Sequence, residues 1–393
     1  MEAGEMVKRI REFFNEQNLI ILLCVGAFLP YVFSFVICGI AFLMLLITPK
    51  LQKGLFAFRG SSVIFVFIAY AVAVAFLNRN VLGMVVAPVF FCVFTVFCFV
   101  RQNITRETFN TCLTAVCFTV FPSFFTALFE ALLQTGESKL VYRCASYYGN
   151  ANWFGSLTAA IVIICAYKIV SSNGKGWFYY VTAFIGMVNI YLSGSLFAII
   201  EVVVGVAVYL LFSKHYRLFC LMVICGSVGI VLITAIPELL PRLSETSLTT
   251  GYRVQIWGIA IREIAARPLF GRGFMAYNEI QALYEDSYST VHGHNLIIDC
   301  LINFGIIGTA ILTIMLYFMF RRVIRVICAD KGNEVAILII SIAAAVFAHS
   351  FTDITFFWIQ TGVFYMVMLG GIGCEERRLR LDNDLLLKGR YRI

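Results

Sequence analysis

Residues 82–100 have the sequence LGMVVAPVFFCVFTVFCFV, a run without a single charged side chain. A helix that crosses the hydrocarbon core of a bilayer needs roughly 20 predominantly apolar residues. This stretch therefore predicts a transmembrane helix, and similar apolar segments recur along most of the chain. We expect an all-α polytopic membrane protein.

The composition supports the same class of protein. The chain has 393 residues, of which 61% are hydrophobic and only 13% are charged. Soluble domains carry about 25% charged residues. The net charge of +8 does not indicate nucleic-acid binding, because the basic residues occur in short clusters between apolar runs. Most of the 13 cysteines lie inside apolar runs, which favours buried thiols over disulfides.

About twelve segments qualify as candidate spans. They are Leu19–Leu29, Val32–Ile47, Ser61–Leu77, Leu82–Val100, Phe109–Leu133, Trp153–Val170, Trp177–Leu192, Ser195–Phe212, Leu218–Ile236, Asn295–Phe320, Val335–Ser350 and Thr355–Ile372. They predict an N-terminal bundle of about nine spans (1–236), a large loop containing helices (237–293), and C-terminal spans with a basic tail (294–393).

The distribution of positive charge predicts the orientation. With alternating spans and a cytoplasmic N-terminus, 22 of the 30 Lys and Arg residues fall on the inner side and 8 on the outer side. This asymmetry follows the positive-inside rule. Five of the eight outer residues lie in the loop 237–293. We therefore expect that loop to be extracytoplasmic and both termini to be cytoplasmic.

The polar stretch from Gly251 to His294 is the largest place for chemistry on polar molecules. If residues 251–266 form a helix, Arg253 lies in the middle of its apolar face and Arg262 lies on the opposite, solvated face. A guanidinium on an apolar face needs an anionic or carbonyl partner. That partner is either a phosphate or pyrophosphate of a substrate, or a structural carboxylate such as Asp299 or Asp353.

His294 is expected in the first turn of the tenth span, where the helix dipole disfavours a protonated imidazole. A neutral imidazole there accepts a proton from a sugar hydroxyl, or it serves as a helix-capping or interfacial residue. His292 and His294 form an H-x-H pair, but no cluster of carboxylates or cysteines completes a metal site in the sequence. We expect no metal and no cofactor.

Four further features have two interpretations each. Trp257 either stacks on a sugar or anchors at the interface. Gly271 and Gly273 form either a structural turn or a phosphate-binding loop, for which a lone G-x-G is a weak signal. Asn150 and Asn152 cap the sixth span, with a ligand-facing role left open. The intramembrane carboxylates Glu130 and Glu201 are either functional or hydrogen-bonded structural groups.

Several short motifs follow one another in a particular order. They are GYRVQIW (251–257), RPLFGRG (267–273), HGHNL (292–296) and FGIIG (304–308), preceded by Arg143 with YGNANWF (148–154) and followed by HSFTD (349–353). In order and spacing they resemble the O-antigen ligase and O-antigen polymerase superfamily of multi-span glycosyltransferases. The resemblance covers the chain from about Arg143 to Asp353.

The resemblance implies an integral enzyme of the bacterial plasma membrane. It would move a glycan from an isoprenoid (undecaprenyl) diphosphate donor to a glycan or lipid-anchored acceptor on the outer face. The implied catalytic residues are His294 and Arg253. The implied contacts to diphosphate or glycan are Arg143, Arg272, Asn150, Asn152, Trp257 and Asn295.

One position departs from the family pattern. Leu196 follows the turn Ser193-Gly194-Ser195, where members of the family often have an arginine. Either Arg143 or Arg272 replaces that arginine, or the substrate is held in a different way. A polysaccharide polymerase, a transporter or flippase for an anionic lipid or solute, and a non-catalytic assembly partner stay open as alternatives.

Overall fold

The computed structural model describes residues 15–47, 55–56, 58–134, 142–236, 246–285 and 287–380, and within these ranges it contains helices and no strand. The helices are α1 (Glu16–Gly26), α2 (Tyr31–Ile47), α3 (Ser61–Leu77), α4 (Val81–Asn103), α5 (Arg106–Phe118), α6 (Val120–Leu132), α7 (Ala151–Ser171), α8 (Trp177–Ser193), α9 (Leu196–Phe212), α10 (Tyr216–Ala235), α11 (Thr246–Ala266), α12 (Ala276–Ile280), α13 (Leu296–Ala329), α14 (Glu334–His349) and α15 (Ile359–Gly370).

The expected all-helical class is confirmed, and a helix lies at each of the twelve predicted segments. Among the described residues, four stretches are long and apolar enough to cross a membrane: α4, α5 together with α6, α7 and α13. Six other described helices are apolar but shorter. The number of twelve spans and the extracytoplasmic loop stay predictions. Residues 237–245, which open that loop, and 381–393, most of the basic tail, lie outside the described residues.

Some element boundaries differ from the predicted ones. The segment predicted as one span from Phe109 to Leu133 forms two helices, α5 and α6, which meet at Thr119. Helix α11 begins at Thr246, five residues before the predicted start at Gly251. Residues 355–358 precede α15 as a turn instead of opening it. Apolar composition alone does not distinguish a short buried turn from a helix end.

The packing of α7, α9 and α14 positions the site. Helix α9 packs along α14, and α7 packs against α8 and α9. Gly205 on α9 allows this close approach, because an added Cβ would lie 2.3 Å from Cδ1 of Ile163. The end of α14 and the turn after it thereby meet the start of α7 and the start of α9.

The start of α13 is fixed to the end of α14. The backbone amide of Leu296 donates to the carbonyl of Ser350 at 2.8 Å, and Nδ2 of Asn295 donates to the carbonyl of Phe351 at 3.0 Å. These bonds hold the segment that carries His292 and His294 beside the turn that carries Asp353.

Candidate active site

A small polar pocket lies where these helix ends meet. It is lined by Arg143, Asn152, Gly194, Ser195, Leu196, Phe197, Arg253, His349, Thr352 and Asp353. Arg253 extends from α11 and its guanidinium carbon lies 5.7 Å from the centre of the Phe197 ring. Arg262 is exposed and lies over the Tyr284 ring instead, at 4.8 Å. The two arginines thus have the opposite placements that the helical period predicts.

A chain of polar contacts runs along one side of the pocket. Nε of Arg143 donates to the carbonyl of Ser193 at 3.1 Å, and its terminal nitrogen donates to Oδ1 of Asn152. Nδ2 of Asn152 in turn donates to Oδ2 of Asp353. The Asn152 amide therefore links a cation to a carboxylate and leaves both at the pocket surface.

Asp353 connects the pocket to the two histidines. Its Oδ1 lies 3.5 Å from Nδ1 of His294 and 3.7 Å from Nε2 of His292. These are ion-pair distances rather than tight hydrogen bonds. Nε2 of His294 lies 3.2 Å from the Thr290 hydroxyl. His294 is thus a half-buried imidazole oriented by one carboxylate and one hydroxyl.

The position of His294 on α13 differs from the predicted one. Asn295 is the N-cap residue, because its Oδ1 accepts from the backbone amides of Ile297 and Ile298. His294 therefore precedes the cap and does not lie in the first helical turn. Its φ of +47° falls in a region that non-glycine residues rarely adopt. Such backbone strain often marks a functional position.

Burial sets the protonation of the surrounding groups. Desolvation lowers the pKa of His292 to about 4, although Asp353 acts in the opposite direction. Burial alone raises the pKa of Asp353, but the neighbouring histidines, with His294 foremost, hold it below its usual range. Asp353 is therefore an anion and His292 a neutral imidazole near neutral pH.

His292, His294 and Asp353 have ligand atoms within 4.8 Å of one another, a spacing that a metal ion could bridge. The hydrogen bonding of His292 argues against that use. Its Nδ1 accepts from the backbone amide of His294 at 3.2 Å, so its proton is on Nε2, the nitrogen that faces Asp353. If Nε2 bound a metal, the proton of His292 would have to be on Nδ1. It would then point at the backbone N–H of His294, and two donors would face each other.

Four residues expected to contact substrate have structural partners elsewhere. Arg272 pairs with Glu263, with 2.6 Å between its terminal nitrogen and Oε2. Asn150 caps α7, and Asn295 caps α13. Nε1 of Trp257 donates to the carbonyl of Gly293 at 3.0 Å. None of these four lines the polar pocket, whereas Arg143, Asn152 and Arg253 all do.

Two pocket residues were not identified from the sequence as site residues. They are His349 and Asp353, both in the HSFTD motif, of which only Asp353 was considered, as a possible structural partner of Arg253. A histidine at the end of an apolar span is the signal that could have found His349. Its partner Glu201, 148 positions earlier in the chain, could be connected to it only by the packing of α9 on α14.

An apolar cavity lies next to the polar pocket, between α13, α14 and α15. Its lining includes Leu296, Phe320, Val346, Ser350 and Tyr365. Val346 and Ser350 flank His349, which lines the polar pocket. The end of α14 therefore separates an apolar cavity from a polar one.

The chain is similar to proteins of polysaccharide biosynthesis. A family model described as O-antigen ligase matches residues 181–313. The exopolysaccharide production protein ExoQ of Rhizobium meliloti (strain 1021) is 24% identical over 138 residues, which cover 33% of this chain and 32% of ExoQ. The match therefore spans about a third of either protein.

Residues 181–313 include α11 with Arg253, the segment of His292 and His294, and the start of α13. These are the elements that carry most of the motifs described above. Residues 181–313 of this integral membrane protein are therefore similar to the O-antigen ligase family, and the motif order described above agrees with that match.

Proposed function

We propose that the protein transfers a glycan from an isoprenoid diphosphate donor to an acceptor hydroxyl on the outer face of the bacterial plasma membrane. The observation that carries this proposal is the polar pocket, which Arg143 and Arg253 line together with Asp353, the carboxylate whose Oδ1 lies 3.5 Å from Nδ1 of His294. Guanidinium groups are suited to bidentate binding of phosphate oxygens.

The chemistry requires a stabilised leaving group and a base. The acceptor oxygen forms a bond to the anomeric carbon, the bond from that carbon to the diphosphate oxygen breaks, and the diphosphate leaves with the electron pair. Arg253 and Arg143 stabilise the negative charge that develops on the diphosphate. His294 takes the proton of the acceptor hydroxyl, and Asp353 stabilises the imidazolium that results.

The adjacent apolar cavity supports an amphipathic donor. A substrate with a polyisoprenoid chain and a diphosphate head needs apolar and cationic surfaces side by side. The cavity between α13, α14 and α15 supplies the first, and the polar pocket supplies the second. Both meet at the end of α14.

A polymerase is the second candidate. The similarity to a protein named for exopolysaccharide production favours an acceptor that is itself a growing glycan chain. Donor, pocket and base are the same in both candidates, and only the acceptor differs.

The test uses the full chain purified in detergent, a lipid-diphosphate oligosaccharide, candidate acceptors and a metal chelator. Mass spectrometry measures released lipid diphosphate and the new glycoside. We expect His294→Ala to lower turnover about 100-fold or more, and Arg253→Gln to lower it roughly 100-fold through loss of charge stabilisation. Arg262→Gln, an exposed change on the same helix, is the matched control and should retain activity.

The outcomes separate the hypotheses. If the unsubstituted protein releases no lipid diphosphate with any acceptor, the enzyme proposal fails. Movement of the intact lipid across vesicle bilayers without release would favour a flippase. If His294→Ala is fully active, the assignment of the base is wrong.

A further inference from the structure

A buried ionisable pair lies behind one wall of the polar pocket, and the chemistry described above does not use it. Glu201 on α9 is 0% exposed and His349 at the end of α14 is 1% exposed. Oε2 of Glu201 lies 2.6 Å from Nδ1 of His349. A carboxylate buried in an apolar helix is costly unless a cation compensates its charge.

The other contacts of Glu201 come from donors. Its Oε1 accepts from the Ser156 hydroxyl at 3.1 Å and lies 3.5 Å from the Tyr365 hydroxyl. An ionised carboxylate is only an acceptor, so this convergence of donors favours the anion. Because both hydroxyls are neutral, His349 is the group among these contacts that can supply the compensating charge. The pair is therefore carboxylate and imidazolium.

His349 also faces the polar pocket, whose wall it forms together with Phe197 and Arg253. The Phe197 ring centre lies 6.4 Å from the His349 ring centre and 5.7 Å from the guanidinium carbon of Arg253. Since Nδ1 is engaged by Glu201, Nε2–H is the donor of the imidazolium that remains for a ligand in the pocket.

We propose that His349, oriented and kept protonated by Glu201, is an additional cationic ligand for the diphosphate of the donor. This inference rests on the proposed function and adds two residues to it. His349 contacts the anion, and Glu201 is a positioning residue that acts through His349. His349 then supplies positive charge from the end of α14 to the same pocket that Leu196 lines.

The test measures binding of farnesyl diphosphate and of farnesol to the full chain in detergent, by isothermal titration calorimetry. Glu201→Gln leaves the imidazole in place but removes the charge that keeps it protonated. The double variant Glu201→Gln/His349→Gln replaces the pair with two neutral amides and avoids an unpaired buried charge. Ser156→Ala is the matched control, because it removes a hydroxyl that contacts the same carboxylate without changing any charge and lines neither pocket.

We expect both Glu201 variants to bind farnesyl diphosphate roughly tenfold or more weakly, as for loss of a charged hydrogen bond. Farnesol binding should not change, and Ser156→Ala should bind both ligands normally. Equal loss of both ligands would indicate a purely structural pair and overturn the inference, as would unchanged binding of farnesyl diphosphate. If the unsubstituted protein binds farnesyl diphosphate no better than farnesol, the diphosphate pocket of the proposed function fails instead.

Discussion

At the scale of single residues, Asp353 organises the site. It is the carboxylate that Arg143 reaches through Asn152 and that both histidines approach. The helical period of α11 was sufficient to predict that Arg253 and Arg262 lie on opposite faces of the helix. It could not show which carboxylate lies near the pocket, because Asp353 is 100 positions away in the chain and comes close only through the packing of α14.

The two arginines at positions 253 and 272 should behave differently. Arg272→Gln leaves Glu263, which is mostly buried, without its cationic partner. We expect it to lower stability by roughly 2–3 kcal/mol, between the values for exposed and buried pairs, and to leave the affinity for farnesyl diphosphate unchanged.

Arg253→Gln should show the reverse pattern, with weaker binding of farnesyl diphosphate and a similar melting temperature. Thermal unfolding and calorimetric binding on both variants check this. If Arg272→Gln lost affinity for farnesyl diphosphate but kept its stability, Arg272 would be a substrate-binding residue and this prediction would be wrong.

The stability of the site should depend on pH through His292. Its pKa is about 4 in the folded chain, below the usual value near 6.5, so the unfolded chain binds the extra proton between these values. Stability is therefore complete above about pH 6.5 and falls as the pH is lowered towards 4, by about 3 kcal/mol in total. The lowered pKa of Asp353 acts in the same direction at still lower pH.

Melting temperatures of the unsubstituted protein and of His292→Gln between pH 7.5 and pH 4 measure this effect. The variant should lose less stability over that interval, since glutamine does not titrate. Parallel curves for the two proteins would show that His292 does not cause the acid sensitivity.

At the scale of elements, the motif FGIIG explains the shape of α13. Gly305 has φ +59°, which interrupts the helix, and the turn of Gly271 and Gly273 packs against this point. The amide of Gly273 donates to the carbonyl of Asn303 at 2.7 Å. Gly308 lets the Tyr70 ring approach, since an added Cβ would lie 2.3 Å from that ring. The glycines at 271 and 273 thus form a structural turn, one of the two expected interpretations.

Gly305→Ala should strongly destabilise the protein. The new Cβ would lie 2.4 Å from the carbonyl carbon of Leu269, and the positive φ disfavours any side chain. The strain and the clash together should cost about 2–5 kcal/mol. The matched control is Gly226→Ala in α10, where an added Cβ has nothing within 4 Å. It should leave the melting temperature unchanged or slightly higher. Equal melting temperatures for both variants would contradict the close approach.

At the scale of the whole molecule, the orientation in the membrane is the main expectation still to be tested. Charge counting puts Arg262 outside and Lys331 inside. Both are exposed in the folded chain and lie in described segments. Each can therefore report its side of the membrane without disturbing the core.

The measurement uses one cysteine introduced at each of these two positions in turn. In the background protein, the exposed Cys220, Cys225 and Cys328 are replaced by alanine. A membrane-impermeant maleimide added to spheroplasts should label Arg262→Cys at once and Lys331→Cys only after lysis. Labelling in the opposite order would invert the topology and place the polar pocket on the cytoplasmic side.

The sequence by itself determined the helical membrane class, the approximate positions of the apolar helices and the face of α11 that carries Arg253. These properties depend on apolar run length and on the helical period, which are local. Only the tertiary structure decided which polar groups meet. Arg143, Asn152 and Asp353 meet in one pocket, Glu201 pairs with His349, and Arg272 pairs with Glu263. The packing of helices that are distant in the sequence decides which buried polar groups contact each other, and a local sequence pattern contains no information about that packing.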